Sequence, residues 1–211
     1  MIKESTLLLI CSLMLLVLIL TGCATLEKNY PQREYYIFNI SNNAHNSSPV
    51  SGTVLEVRRF EISPSFSTRE FVYRKGDLSY ESDFYNQFFR PPSALVTEEV
   101  RKWLSESGQF KYVVDSSNNV EPDYVLEGNV SELYGDFRAT NEPKAVLGIQ
   151  FFLTEETSTN PKIVFENNYR REVVLSSNSA GELVKGWNEA LEQILTDLQG
   201  DLRNVDFKTP Q

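Results

Sequence analysis

The chain has 211 residues, a formal net charge of −9, two cysteines and one histidine. That length suits one domain with a sizeable core, which typically buries about 70% of the surface its unfolded chain exposes. The acidic balance argues against nucleic acid as a partner and against a broad polybasic face for membrane binding. A lone histidine leaves little from which to build a catalytic triad or a multi-histidine metal centre.

Met1-Ile2-Lys3 is a short basic start, residues 7–20 are almost wholly apolar, and Leu20-Thr21-Gly22-Cys23 closes the run. Basic, apolar and small-residue regions in that order form the pattern of a cleaved export signal rather than a membrane span. The last four residues resemble the bacterial lipobox. That resemblance implies that Cys23 takes a diacylglycerol on sulfur, that residues 1–22 are removed, and that the new amino terminus is acylated, with palmitate among the chains. Each buried CH₂ contributes roughly 0.8 kcal/mol, so several chains hold a protein on a bilayer where one holds it only marginally. Cys11 leaves with the signal and Cys23 is consumed by lipid, which excludes disulfides, cysteine nucleophiles and cysteine metal sites from the mature domain. By the sorting rule of enteric bacteria, Ala24 rather than Asp after the cysteine directs the protein to the outer membrane. The inner membrane stays open where that rule differs.

Residues 23–33 read as a lipidated tether and residues 41–52, crowded with Asn and Ser, as a loop. At roughly 3.3 Å per residue, the tether keeps the domain within about 35 Å of the membrane. Residues 35–40 and 53–62 are rich in β-branched and aromatic side chains and are expected as strands, the second ending before Pro64. Residues 69–74 form another, with Phe71 and Tyr73 on one face and Val72 on the other. Pro91-Pro92-Ser93 opens a helix in which Ser93 is placed to accept an orphan backbone N–H, Val96, Val100, Trp103 and Leu104 make an apolar stripe, and Gly108 ends the run.

A short strand is expected over 110–114, followed by a turn at Asp115-Ser116-Ser117-Asn118-Asn119. Three longer strands, 124–137, 145–154 and 162–175, are joined by turns at Asn141-Glu142-Pro143 and at 157–161, which makes them an antiparallel meander. A final helix starts at Ser179, with Glu182 three residues on completing a capping box, and Leu183, Trp187, Leu191, Ile194, Leu198 and Leu202 form its buried stripe. The order gives an α/β fold, a single domain in which a mixed β-sheet packs against two main helices.

Enzymatic chemistry has little support. His45 sits in the Asn/Ser-rich loop, and Glu98-Glu99 and Glu155-Glu156 are adjacent pairs whose side chains point apart. Gly148 and Gly186 lack glycine partners at phosphate-loop spacing. No metal, cofactor or catalytic residue is expected. One stretch stands out: residues 80–89, Tyr-Glu-Ser-Asp-Phe-Tyr-Asn-Gln-Phe-Phe, interleave five aromatics with polar residues. Either Phe84 and Phe88 fill the core below the first helix, or Tyr85 and Phe89 project as a contact surface for a partner protein or a lipid chain.

An ordered set of segments resembles the ABC-type transport auxiliary lipoprotein family, of which paraquat-inducible lipoprotein C is a member. The segments are Tyr35-Tyr36-Ile37, Val57 with Phe60, Arg69-Glu70-Phe71-Val72-Tyr73-Arg74, Phe89-Arg90-Pro91, Ser105-Glu106-Ser107-Gly108-Gln109-Phe110, Tyr124-Val125-Leu126-Glu127-Gly128 and the C-terminal helix. Family members usually carry Trp before the Pro, where this chain has Phe89-Arg90. The resemblance implies a domain over residues 34–205 and a periplasm-facing, non-enzymatic lipoprotein. It further implies work alongside an ABC permease and a mammalian-cell-entry (MCE) domain protein in moving phospholipid between membranes. Homo-oligomerisation is left open. The fold also resembles the TolB amino-terminal domain and the lipoprotein activators of peptidoglycan synthases, so activation of a cell-wall synthesis enzyme by protein contact is the alternative function.

Overall fold

The computed structural model describes residues 3–10, 12, 32–41, 52–139, 141–156 and 160–207. Residues 3–10 and 12 are helical and belong to a unit separate from the one that starts at Arg33. Among the described residues no helix is long and apolar enough to cross a membrane. Cys23 and His45 lie outside the described residues.

From Arg33 onward the elements are β1 (Glu34–Tyr36), β2 (Val54–Val57), β3 (Glu61–Ile62), a 3-10 turn (Pro64–Phe66), β4 (Glu70–Arg74), β5 (Tyr80–Phe88), α1 (Pro92–Glu106), β6 (Tyr112–Val114), β7 (Tyr124–Asp136), β8 (Lys144–Glu155), β9 (Lys162–Val174) and α2 (Ala180–Leu202). The expected meander is present: β7 pairs antiparallel with β8 along its length, and β8 with β9. The other edge of β7 is shared by three short parallel strands. β2 meets it at Tyr124–Leu126, β3 at Asn129–Val130 and β4 at Gly135–Asp136. The sheet therefore forks. Beyond β2 lies parallel β6, and beyond β4 lie antiparallel β5 and then β1, parallel to β5.

The continuous strand expected over 53–62 is two strands. Leu55 and Val57 point inward, Arg58 and Arg59 are both exposed, and Phe60 is buried again, so the alternation slips by one residue. Two partners distant in sequence impose the slip: Arg58 N–H donates to Leu126 O at 3.0 Å, and Phe60 N–H donates to the Thr97 hydroxyl at 3.0 Å. The strands expected over 35–40 and 110–114 shorten to Glu34–Tyr36 and Tyr112–Val114. Residues 80–88 form a strand that the sequence reading did not assign.

α1 carries its stripe as expected, with Val96, Val100, Trp103 and Leu104 buried, and Gly108 past its end has φ of 66°, a conformation that glycine reaches without steric cost. Its N-cap is Pro91, without a side-chain cap, and Ser93 already lies inside the first turn, where its carbonyl accepts the Thr97 hydroxyl at 2.7 Å. In α2 the capping box is half formed. The Ser179 hydroxyl accepts the Glu182 N–H at 3.3 Å, while the Glu182 carboxylate turns to the Ser176 hydroxyl and Lys185.

All six stripe residues of α2 are buried on the sheet. Trp187 is the centre of this core: its ring lies 5.0 Å from Phe71 and 5.4 Å from Phe88, and its Nε1–H donates to Tyr134 O at 3.3 Å and Val146 O at 3.2 Å. Gly186 lets the helix approach, because a Cβ there would stand 2.7 Å from the Ala145 Cβ and closer still to Leu175. The Trp103 Nε1–H donates to Gln199 Oε1 at 2.9 Å, joining α1 to α2 through a satisfied buried polar pair. The opposite face of the meander carries ion pairs of Arg58 with Glu127 and of Arg170 with Glu132 and Glu172.

Candidate functional site

The aromatic stretch singled out in the sequence lies on β5, where the sheet departs from regularity. Between the pairs Glu70↔Gln87 and Phe71↔Asp83 the ladder slips, so one step along β4 spans four along β5 and residues 84–86 bulge out. Asp83 pins the bulge. Its Oδ1 accepts the Tyr85 N–H at 2.8 Å and the Asn86 N–H at 3.1 Å, while Oδ2 accepts the Tyr73 hydroxyl and the Asn86 side-chain amide at 2.7 Å each. A short acidic side chain thus replaces the missing ladder partners. Gln87 Nε2 closes the other side by donating to Phe84 O at 3.0 Å.

Partial burial works to raise the Asp83 carboxyl, but the hydrogen bonds from Tyr73, Asn86 and the two backbone amides outweigh it and hold its pKa below the usual carboxylate range. Burial, and then the bond to Asp83, push the Tyr73 phenol well above its ordinary value. Tyr36 is pushed up to about 12 by burial and by the Glu34 carboxylate that accepts its hydroxyl. These phenols are proton donors to fixed carboxylates. They brace the edge.

The bulge turns Phe84 and Tyr85 outward, 55% and 42% exposed, and Phe89 beyond the strand end is 59% exposed, whereas Phe88 is 2% exposed. The structure thus places both sequence-chosen residues, Tyr85 and Phe89, at the surface. It corrects the core reading for Phe84, because four residues of β5 pass while β4 advances one and the face that alternation would assign is lost. Phe88 fills the core alone, 4.8 Å from Phe71 and 5.6 Å from Phe38.

Residues not singled out in the sequence complete this edge. β1 runs parallel to β5, and the Phe89 N–H donates to Tyr36 O at 2.8 Å, which brings Tyr35 and Ile37, about half exposed, beside Phe89. The Tyr35 and Phe89 rings meet edge to face at 6.3 Å. Guanidinium groups sit among the rings: Arg33 is 3.9 Å from the Phe84 centroid, and Arg69 is 5.3 Å from that of Tyr35 while donating to Phe88 O at 2.8 Å. Arg90 is ion-paired with Glu98. An edge of ring faces and guanidinium groups on a sheet is equipped to bind, and its Asp83 carboxylate is engaged in holding the backbone. Among the described residues there is no cluster of His, Cys, Asp and Glu that could hold a metal ion.

A solved structure from Xanthomonas campestris, of a protein in the family designated DUF330, shares this fold with a TM-score of 0.70 at 17% identity over 79% of this chain and 93% of that one. A second, of an uncharacterized protein, superposes with a TM-score of 0.62 at 14% identity over 81% of this chain and 99% of that one. No curated protein sequence matches. The sequence pattern of the ABC-type transport auxiliary lipoprotein component matches residues 36–199, nearly the whole span from β1 to the last turns of α2. The chain belongs to the ABC-type transport auxiliary lipoprotein family.

Proposed function

We propose that this chain is the acylated, non-enzymatic auxiliary subunit of an ABC/MCE-type system that moves lipid between the inner and outer membranes. In this reading residues 1–22 are removed, Cys23 carries the acyl chains, residues 23–33 are the tether and residues 34–205 are the working domain. The anchor sits in the outer membrane and the domain faces the periplasm. Its partners are an MCE-domain protein and the associated permease, and copies of the chain are free to assemble with one another. The observation that carries the reading is the family match over residues 36–199. It is supported by the lipobox-like Leu20-Thr21-Gly22-Cys23 upstream of that match. Tyr85 and Phe89 belong to the surface by which the domain makes its outside contact, as their exposure beside buried Phe88 supports.

Fatty-acid labelling with membrane fractionation tests the anchor. The native chain should carry label and fractionate with the outer membrane, whereas Cys23→Ser should lose the label and stay as precursor. A labelled Cys23→Ser protein would exclude this anchor.

A further inference from the structure

We infer that the edge formed by Tyr35, Ile37, Phe84, Tyr85 and Phe89 rests on the phospholipid headgroups of the membrane that holds the anchor. The inference rests on acylation at Cys23 as proposed above and deepens it by naming what the exposed rings meet. Chain geometry is the first support. The segment from Cys23 to Arg33 spans about 35 Å at most, and it joins the domain at this edge: Arg33 packs on the Phe84 ring and the next residue opens β1. The other branch of the forked sheet, β2 with β6, pairs with the start of β7, while β4, and through it β5 and β1, pairs with its end. About ten residues of strand, at roughly 3.3 Å each, separate the two branches. The tether therefore enters the domain at the β1–β5 branch, a strand's length away from the β6 branch.

The chemistry of the edge is the second support. Tyrosine and phenylalanine rings settle at the level of lipid headgroups, where one end of the ring meets water and the body meets acyl chain. Guanidinium groups match phosphate oxygens in shape and charge. Three carboxylates at this edge have partners within the chain. Glu34 accepts the Tyr36 hydroxyl, Asp83 holds Tyr73 and Asn86, and Glu98 pairs with Arg90. Arg33 and Arg69 lie instead over aromatic rings, at 3.9 and 5.3 Å. What the edge offers outward is a set of exposed rings with guanidinium groups among them, a chemistry suited to the headgroup level. The acyl chains supply the holding strength, so the edge need only orient the domain.

The test uses the full acylated chain in vesicles of phosphatidylethanolamine and phosphatidylglycerol doped with lipid carrying a nitroxide quencher near the headgroup. Two variants are compared in separate samples: Tyr85→Trp at this edge and Tyr112→Trp on β6, with acylation of Cys23 verified by mass in each. The added emission of Tyr85→Trp should fall by about half and that of Tyr112→Trp by less than about a tenth. Phe89→Trp serves in the same way if Tyr85→Trp does not fold. Equal quenching at the two positions in acylated protein would overturn the inference while leaving the anchor intact. So would a Tyr85→Trp signal untouched by lipid and shifted only on adding the MCE-domain partner, which would make the edge a protein contact. Absence of acyl mass on Cys23 would overturn the anchor and this inference with it.

Discussion

Phe88 and Phe89 are adjacent, and they illustrate the two regions on which this molecule is built. Phe88 lies 2% exposed against Trp187 and Phe71, in a core closed by α2, while Phe89, one residue past the end of β5, is 59% exposed. In the covered region, strands of twelve or thirteen residues alternate and a helical stripe answers them. At the edge, the ladder is broken by a bulge and stabilised by one carboxylate. Aromatic side chains serve both regions. The core buries them and the edge leaves them exposed, so truncation should separate the two by stability.

The largest effect belongs to the covered region. Trp187→Ala should cost about 3–5 kcal/mol, since it deletes a fully buried ring and leaves the carbonyls of Tyr134 and Val146 without its N–H; denaturant unfolding reads this directly. Asp83→Ala attacks the brace of the edge and should cost about 1–3 kcal/mol by stranding the Tyr73 hydroxyl and two backbone amides. Because the folded-state pKa of Asp83 is depressed, its ionised form contributes stability that is fully present above its unfolded value, about pH 4, and is lost as pH falls through the lower folded value. The advantage of the native chain over Asp83→Asn should accordingly shrink in acid, and a constant difference from pH 7 to pH 2 would contradict this brace. Ser179→Ala removes the cap of α2 and should cost about 1 kcal/mol. Smallest of all, Tyr85→Ala and Phe89→Ala should change unfolding free energy by less than about 0.5 kcal/mol, as exposed side chains do. A larger loss would place these rings in the core and erase the contrast.

The covered region was legible from the sequence because its signals are local and long. The three-strand meander and the α2 stripe emerged from alternation and four-and-three spacing, with ends shifted by one residue or two. The forked side was less legible because its strands are short and answer to partners far along the chain. Residues 53–62 read as one strand until Leu126 and Thr97 pull the segment out of phase. Ser93 resembled a cap, yet Pro91 takes the cap position, so the hydroxyl enters the helix too late. At the edge, Tyr85 and Phe89 could be singled out from composition, but the side taken by Phe84 depends on the slip between β4 and β5. Asp83 and Asn86, turn-forming residues inside an aromatic run, were the available sign of that slip. Tyr35 and Ile37 gave no sign, because their neighbours come from β5.

The most direct measurement of the central claim is affinity purification of the full-length chain from detergent-solubilised envelopes, with identification of what comes with it. An auxiliary subunit of an ABC/MCE-type lipid transport system should bring down an MCE-domain protein and its permease. Recovery of a cell-wall synthase with neither of those partners would contradict the account and establish the chain as an activator of that enzyme.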